Sequence, residues 1–173
     1  FPSQLGCTDD VMKYDYDPAK AKALLAEAGY PNGFEIDMYG YRNRPYGEAI
    51  ISYLRKAGIN ANLKYLKYSA VREKVYGNKV SFDFTTWGSY GVNDVSNITG
   101  RFYNFTEVDF ARDELLRDWL AKGDSTIDPE ERKAIYKKAL KRIADQAYVL
   151  PLFTWVANYV YAKELDFKPY PDA

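Results

Sequence analysis

A tryptophan, a tyrosine, two glycines and an acid stand together in Phe82-Asp-Phe-Thr-Thr-Trp-Gly-Ser-Tyr-Gly-Val-Asn-Asp-Val95. Trp87 and Tyr90 offer flat apolar faces with polar tips. Gly88 and Gly91 let the backbone come close to a ligand. Ser89 and Asp94 add hydrogen-bonding oxygens. Such a set binds a small molecule by stacking and hydrogen bonding. Each residue also has a plainer role: Trp87 as a cap on the end of a sheet, Asp94 after Asn93 as a turn former. Tyr41, Arg42 and Arg44 form a second group of candidates, in a loop that follows a strand. A catalytic alternative is a glycoside hydrolase using Asp83 or Asp94 beside Trp87. It needs two carboxylates about 5–9 Å apart across a cleft, and Asp83 lies four residues before the strand's end. A third possibility is a protein-interaction domain with no small ligand.

Composition narrows the chemistry. The chain has 173 residues, 24 Lys+Arg against 24 Asp+Glu, and no histidine. A formal charge of zero gives no basic field for nucleic acid. Without histidine the commonest general base and the commonest transition-metal ligand are missing. Cys7 is the single cysteine, so neither an internal disulfide nor a thiolate zinc site can form. No cofactor is implied. No apolar run approaches the ~20 residues that span a bilayer. Tyrosine is in excess, with 17 copies, and suits positions where one face is buried and the tip meets water or a ligand. The chain begins Phe-Pro-Ser without Met, as a processed chain or a piece of a longer one would.

The elements that must position these residues follow in order. Residues 1 to 13 have no clear period and form a lead-in. Asp17 is an N-cap and Pro18 fits the first helical position. Ala21, Leu24, Leu25 and Ala28 then make a helical stripe expected to be buried, and Gly29 stops it. Phe34 to Tyr41 alternates as a strand. Pro45 opens a second helix with Ala49, Ile50, Tyr53, Leu54 and Ala57 inward and Gly58 as stop. Ile59 to Tyr68 is a second strand, Ser69 caps a short helix to about Tyr76, and a third strand begins near Phe82. This β-α-β-α-β order is that of an α/β fold with a mainly parallel sheet flanked by helices. Parallel sheets carry ligands at the carboxyl ends of their strands. Those loops are 40–44 and 87–94, with 68–69 between. Strand order therefore points to the same candidates.

Beyond the loop, 100–105 reads as irregular, and Phe102, Tyr103 and Phe105 are expected to pack beneath it. Asp109 is expected to cap a helix with Leu115, Leu116, Trp119 and Leu120 inward and Gly123 as stop. Asp128-Pro129-Glu130-Glu131 starts another, with acids against the positive end of its dipole. Val149–Phe153 and Trp155–Ala162 read as strands.

The segment Tyr16-Asp-Pro-Ala-Lys-Ala-Lys-Ala-Leu-Leu-Ala-Glu-Ala-Gly-Tyr-Pro-Asn-Gly33 resembles the signature helix and turn of family 5 extracytoplasmic solute-binding proteins. These are the peptide-, nickel- and oligosaccharide-binding components of ABC importers. Ala49–Ile59, Phe82–Trp87, Asp128–Ala147 and Val149–Leu152 are similar to later landmarks of that family in order and spacing. The resemblance covers roughly residues 14 to 155 and implies a periplasmic-binding-protein-like lobe. Residues 14–153 would be the C-terminal ligand-binding lobe, and 154–173 would return to an N-terminal lobe absent from this chain.

The resemblance also implies a function: capture of a small polar solute by closure of two lobes, and delivery to ABC permease subunits. The setting would be the periplasm, or a lipid anchor outside the cytoplasm. The ligand-binding set would be Trp87, Ser89, Tyr90, Asp94, Tyr41, Arg42 and Arg44. One departure bears on the solute. The family's motif is Trp-x-x-Asp followed by Asp-Pro, and in peptide binders its acid pairs with the ligand's amino terminus. Trp87 matches, but Tyr90 stands at the Asp position and Asp94 has no proline after it. A cationic α-amino group would lose its counter-charge. An oligosaccharide or other neutral solute is therefore expected in preference to a plain dipeptide, and without histidine direct nickel ligation from this lobe is not expected.

Overall fold

A computed structural model describes residues 4–88, 90–154 and 158–168. Contacts divide the chain into two compact units. Residues 13–88 and 105–112 form a sheet unit; residues 1–12, 89–104 and 113–173 form a helical unit.

The sheet unit holds α1 (Pro18–Glu27), β1 (Phe34–Gly40), α2 (Arg44–Ala57), β2 (Ile59–Tyr65), α3 (Tyr68–Tyr76) and β3 (Asp83–Phe84). Its strands are parallel in the order β2-β1-β3, the order that helical crossovers between successive strands permit. Alternation assigns the two faces. Met38, Ala61 and Phe84 pack with Ile51 of α2. On the other face Tyr39 and Tyr41 pack with Val71 and Val75 of α3, together with Val80, Leu66 and Val108. Gly33 and Gly58 cross at the amino end, where Phe34 N–H donates to the Gly58 carbonyl at 3.3 Å. Both glycines have left-handed φ, of 72° and 97°.

Several expectations are corrected here. Asp17 caps α1 as expected, its carboxylate accepting the Lys20 N–H at 2.9 Å. The α1 stripe is not buried, however: Ala21 and Leu25 are half-covered, Leu24 and Ala28 exposed. On α2 Ile50, Leu54 and Ala57 are covered as expected, together with Gly47 and Ile51, while Ala49 and Tyr53 are exposed. The second strand ends at Tyr65, whose ring is exposed, and α3 starts at Tyr68 with Lys67 as its cap, so Ser69 lies in the first turn and the intervening loop is 66–67. β3 is only two residues long, since only Tyr39 and Gly40 offer it a ladder.

The helical unit holds α4 (Ser96–Phe102), α5 (Glu114–Ser125) and α6 (Pro129–Asp145). Residues 100–102 of the stretch expected to be irregular are thus the end of α4, while 103–105 are not helical; within α4 Thr99 is buried and its hydroxyl donates to the Val95 carbonyl at 3.0 Å. Tyr103 is buried in the same unit. The cap of α5 is Asp113, which accepts the Leu116 N–H at 3.1 Å, and not Asp109. Asp109 is buried in the sheet unit, where its carboxylate accepts the N–H groups of Phe105, Ala111 and Arg112 at 2.9–3.0 Å and closes the 105–112 turn. Gly123 does not stop the helix. It lies inside α5 because a Cβ there would sit 3.1 Å from the Tyr136 ring. Asp128 caps α6 as expected, through the Glu131 N–H at 2.8 Å. Leu116, Leu120, Tyr136, Ala139 and Ile143 form the α5–α6 core.

Residues 149–154 and 158–168 carry no strand among the described residues. A strand exists only against a partner ladder, and none is paired to them here. Trp155 lies outside the described residues. Val160 is 98% exposed, and Leu150, Phe153 and Tyr161 are exposed as well.

Candidate functional site

The carboxyl edge of the sheet gathers one group of candidates. Tyr41 directly follows β1 and is half-buried. Its ring lies 4.8 Å from that of Tyr68, at the start of α3. Thr85 and Thr86, directly after β3, hydrogen-bond to its hydroxyl, and the Arg42 guanidinium sits 5.4 Å from its ring centre. Burial pushes the Tyr41 phenol up; the two threonines and Arg42 outweigh it and leave the group below its ordinary value. Tyr41 is thus a fixed ring with an enhanced donor at its tip.

Arginines surround this ring pair. Arg44 opens α2, bonds Glu48 one turn on at 2.7 Å and stands 5.9 Å from the Tyr65 ring centre. Arg72, one turn along α3 from Tyr68, bonds the Tyr68 hydroxyl at 3.3 Å and sits 4.7 Å from the Tyr76 ring centre. Guanidinium planes stacked on aromatic faces are held in place while their N–H edges stay available. Trp87, 37% exposed, follows β3 by three residues. The structure therefore brings Tyr41, Arg42 and Arg44 to one edge and adds Tyr65, Tyr68, Arg72, Thr85 and Thr86. Strand order brings 68–69 to this edge without singling out Tyr68, and nothing in the sequence marks Thr85 and Thr86 beyond strand alternation. The sheet unit also has a cleft of about 400 Å³ lined by Tyr30, Gly33, Arg55 and Gly58. It lies at the amino ends of the strands, away from these side chains.

Tyr90 and Asp94 belong to the helical unit, and Ser89 lies outside the described residues. Tyr90 is 77% exposed. Asp94 is half-buried and engaged: Arg132 donates to its two oxygens at 2.7 and 2.9 Å, and Ser96 N–H donates at 2.8 Å. Burial would raise its carboxyl, but the Arg132 and Ser96 bonds dominate and hold it below the usual range. Arg132 also donates to the Gly123 carbonyl at 3.2 Å and the Tyr136 hydroxyl at 3.3 Å. The Tyr136 hydroxyl in turn bonds Asp124.

Asp83 pairs in register with Tyr39 and so projects to the α3 face, where burial pushes its carboxyl up to about 6. Asp94 is neutralised by an arginine fork. Among the described residues no group of His, Cys, Asp and Glu could hold a metal ion, and no helix is long and apolar enough to cross a membrane.

The profile of the bacterial extracellular solute-binding proteins, family 5 middle, matches residues 1–109. Heme-binding protein A of Haemophilus influenzae is 26% identical over 171 residues, covering 87% of this chain and 30% of that protein. Glutathione-binding protein GsiB of Escherichia coli is 27% identical over 169 residues, covering 87% and 32%. Among solved structures, the periplasmic binding protein DppA of Helicobacter pylori, in complex with the peptide STSA, superposes with a TM-score of 0.77 at 26% identity, covering 85% of this chain and 30% of that one. The chain spans about a third of the length of the curated relatives it matches.

Proposed function

The chain belongs to the bacterial extracellular solute-binding proteins of family 5, and from that premise we propose that it is one lobe of the substrate-binding component of an ABC importer. It captures a small polar solute outside the cytoplasmic membrane, by closure against a second lobe, and delivers it to the permease. The observation that carries this reading is the sheet's carboxyl edge. Tyr41 and Tyr68 present paired rings, Thr85 and Thr86 fix the Tyr41 hydroxyl, and Arg42 and Arg72 lie on those rings. Aromatic faces stack on the apolar face of a sugar or a planar group, and the donors bind hydroxyl or carboxylate oxygens. Residues 14–153 form the lobe in this reading and residues from 154 onward belong with the remainder of the longer protein. The exposed Tyr159, Val160 and Tyr161 support that assignment.

An oligosaccharide or other solute without a free ammonium group is favoured over a plain dipeptide. The edge offers arginines, tyrosines and threonines. Its carboxylate Glu48 is bound to Arg44, and in the helical unit Asp94 is bound to Arg132. At this edge an α-amino group would meet the guanidinium groups of Arg42, Arg44 and Arg72. The relatives' solutes, heme, glutathione and a peptide, show that the family spans several chemistries. The test is calorimetric titration of the complete two-lobed protein with oligosaccharides, glutathione and free dipeptides. Binding of oligosaccharides with weak binding of glutathione and dipeptides, which both carry a free ammonium group, is expected, and Tyr41→Ala should abolish the oligosaccharide binding. Tight dipeptide binding that disappears on N-acetylation would refute this solute class.

A further inference from the structure

Tyr90 and Gly91 are two successive residues in the left-handed region, with φ of 50° and 79°. A residue with a Cβ keeps that conformation only where its surroundings over-determine it. The Tyr90 ring is 77% exposed, so burial of the side chain does not supply the restraint. The residues that follow are anchored from two sides. On one side Gln4 Nε2 donates to the Val92 carbonyl at 3.4 Å, Leu5 N–H to the Asn93 carbonyl at 3.2 Å, and Val95 N–H to the Leu5 carbonyl at 3.1 Å. On the other the Arg132 fork grips Asp94. Arg132 is itself immobilised by the Gly123 carbonyl, the Tyr136 hydroxyl and the Tyr136 ring, whose centre is 4.6 Å from its guanidinium.

We propose that Arg132 is a positioning residue: acting through Asp94, and together with the Gln4–Leu5 segment, it clamps residues 90–95 so that Tyr90 is presented to solute. The word solute rests on the transport reading above; the clamp does not. A fork is needed because two parallel N–H···O bonds set the orientation of a carboxylate, which a lysine's point charge cannot. Arg132→Lys therefore separates geometry from charge.

The test is amide hydrogen exchange on the full chain for wild type, Arg132→Lys, Asp94→Asn and the double variant. Asp113→Asn serves as control, since it breaks another ion pair of the same unit, that of Asp113 with Arg142, while asparagine keeps the cap bond to Leu116 N–H. Exchange at Leu5 and Val95, measured relative to Ala139 and Leu140 inside α6, should rise roughly tenfold or more in both single variants. The double variant should add nothing further. Asp113→Asn should lower the melting temperature without this local rise. Exchange at Leu5 and Val95 that stays unchanged, or rises only in step with α6, would reduce the ion pair to a contributor to stability and overturn the proposal. No solute enters this measurement, so its failure leaves the transport reading standing, and a titration without binding leaves the clamp standing.

Discussion

Asp83→Asn should make the protein more stable at neutral pH. The Asp83 carboxyl is pushed from 3.8 to about 6 because it lies desolvated beside Tyr39 on the α3 face of the sheet. A carboxyl with a raised folded-state value binds more protons folded than unfolded between those two values. Stability therefore falls as pH rises from about 4 to 6, and the penalty is complete above 6. A shift of about 2 units at 1.36 kcal/mol each gives about 3 kcal/mol. Among the described residues the window is clear of other shifted groups. The chain has no histidine, and the shifted acids Asp10, Asp94 and Asp113 all move downward, so their contributions change below 3.8. Asparagine keeps the shape of the neutral acid without its titration. Urea unfolding followed by tryptophan fluorescence, from pH 4.5 to 7.5, should show wild type weakening across the window and Asp83→Asn holding level, with a gap approaching 3 kcal/mol at pH 7. A flat wild-type profile, or a variant that parallels it, would show that ionised Asp83 is not desolvated as argued.

Gly33→Ala should destabilise by more than about 3 kcal/mol, because φ is 72° and the new Cβ would fall 1.8 Å from the Gly58 carbonyl oxygen; the urea midpoint reads this. Leu116→Ala, at a fully buried position, should lose about 2–5 kcal/mol, whereas its neighbour Leu115→Ala, 46% exposed, should stay within about 0.5 kcal/mol. Comparing the two melting curves checks which face of α5 is inward. Asp128→Ala removes the α6 cap bond to Glu131 N–H and should cost about 1 kcal/mol, seen as lost helical signal on thermal unfolding.

Local chemistry was legible and long-range chemistry was not. The Asp-Pro starts at 17–18 and 128–129 could be read because a cap and its helix are neighbours in sequence. The β-α-β-α-β order could be read because periodicity is local too. Asp109 and Asp113 both stand at cap spacing before the same apolar stripe, and only the 105–112 turn, whose N–H groups make three hydrogen bonds to the Asp109 carboxylate, decides between them. α4 was hidden because Ser96-Asn-Ile-Thr-Gly-Arg-Phe102 is made of weak helix formers; burial of Thr99 holds it. At the site, Tyr41 and Arg42 follow from strand order, but Tyr68, Thr85 and Thr86 reach Tyr41 from other strand ends. Arg132 was read only as part of a helix motif, since its partner Asp94 lies 38 residues away.

The interleaving of the two units in sequence sets an order of assembly during synthesis. The sheet unit closes once residue 112 has emerged, and its ladders join neighbouring segments. The helical unit is built from both ends of the chain and its middle. Leu5 must wait for Asp94, and Asp94 for Arg132. Loops that large close slowly, so a nascent chain passes through a stage with a folded sheet and unpaired outer segments. A chain released near residue 112 would keep Tyr41 and its ring partner but lack the grip on residues 90–95. Released chains ending at 115 and at 150, probed by limited proteolysis, should show the sheet protected in both and residues 90–95 protected only in the second.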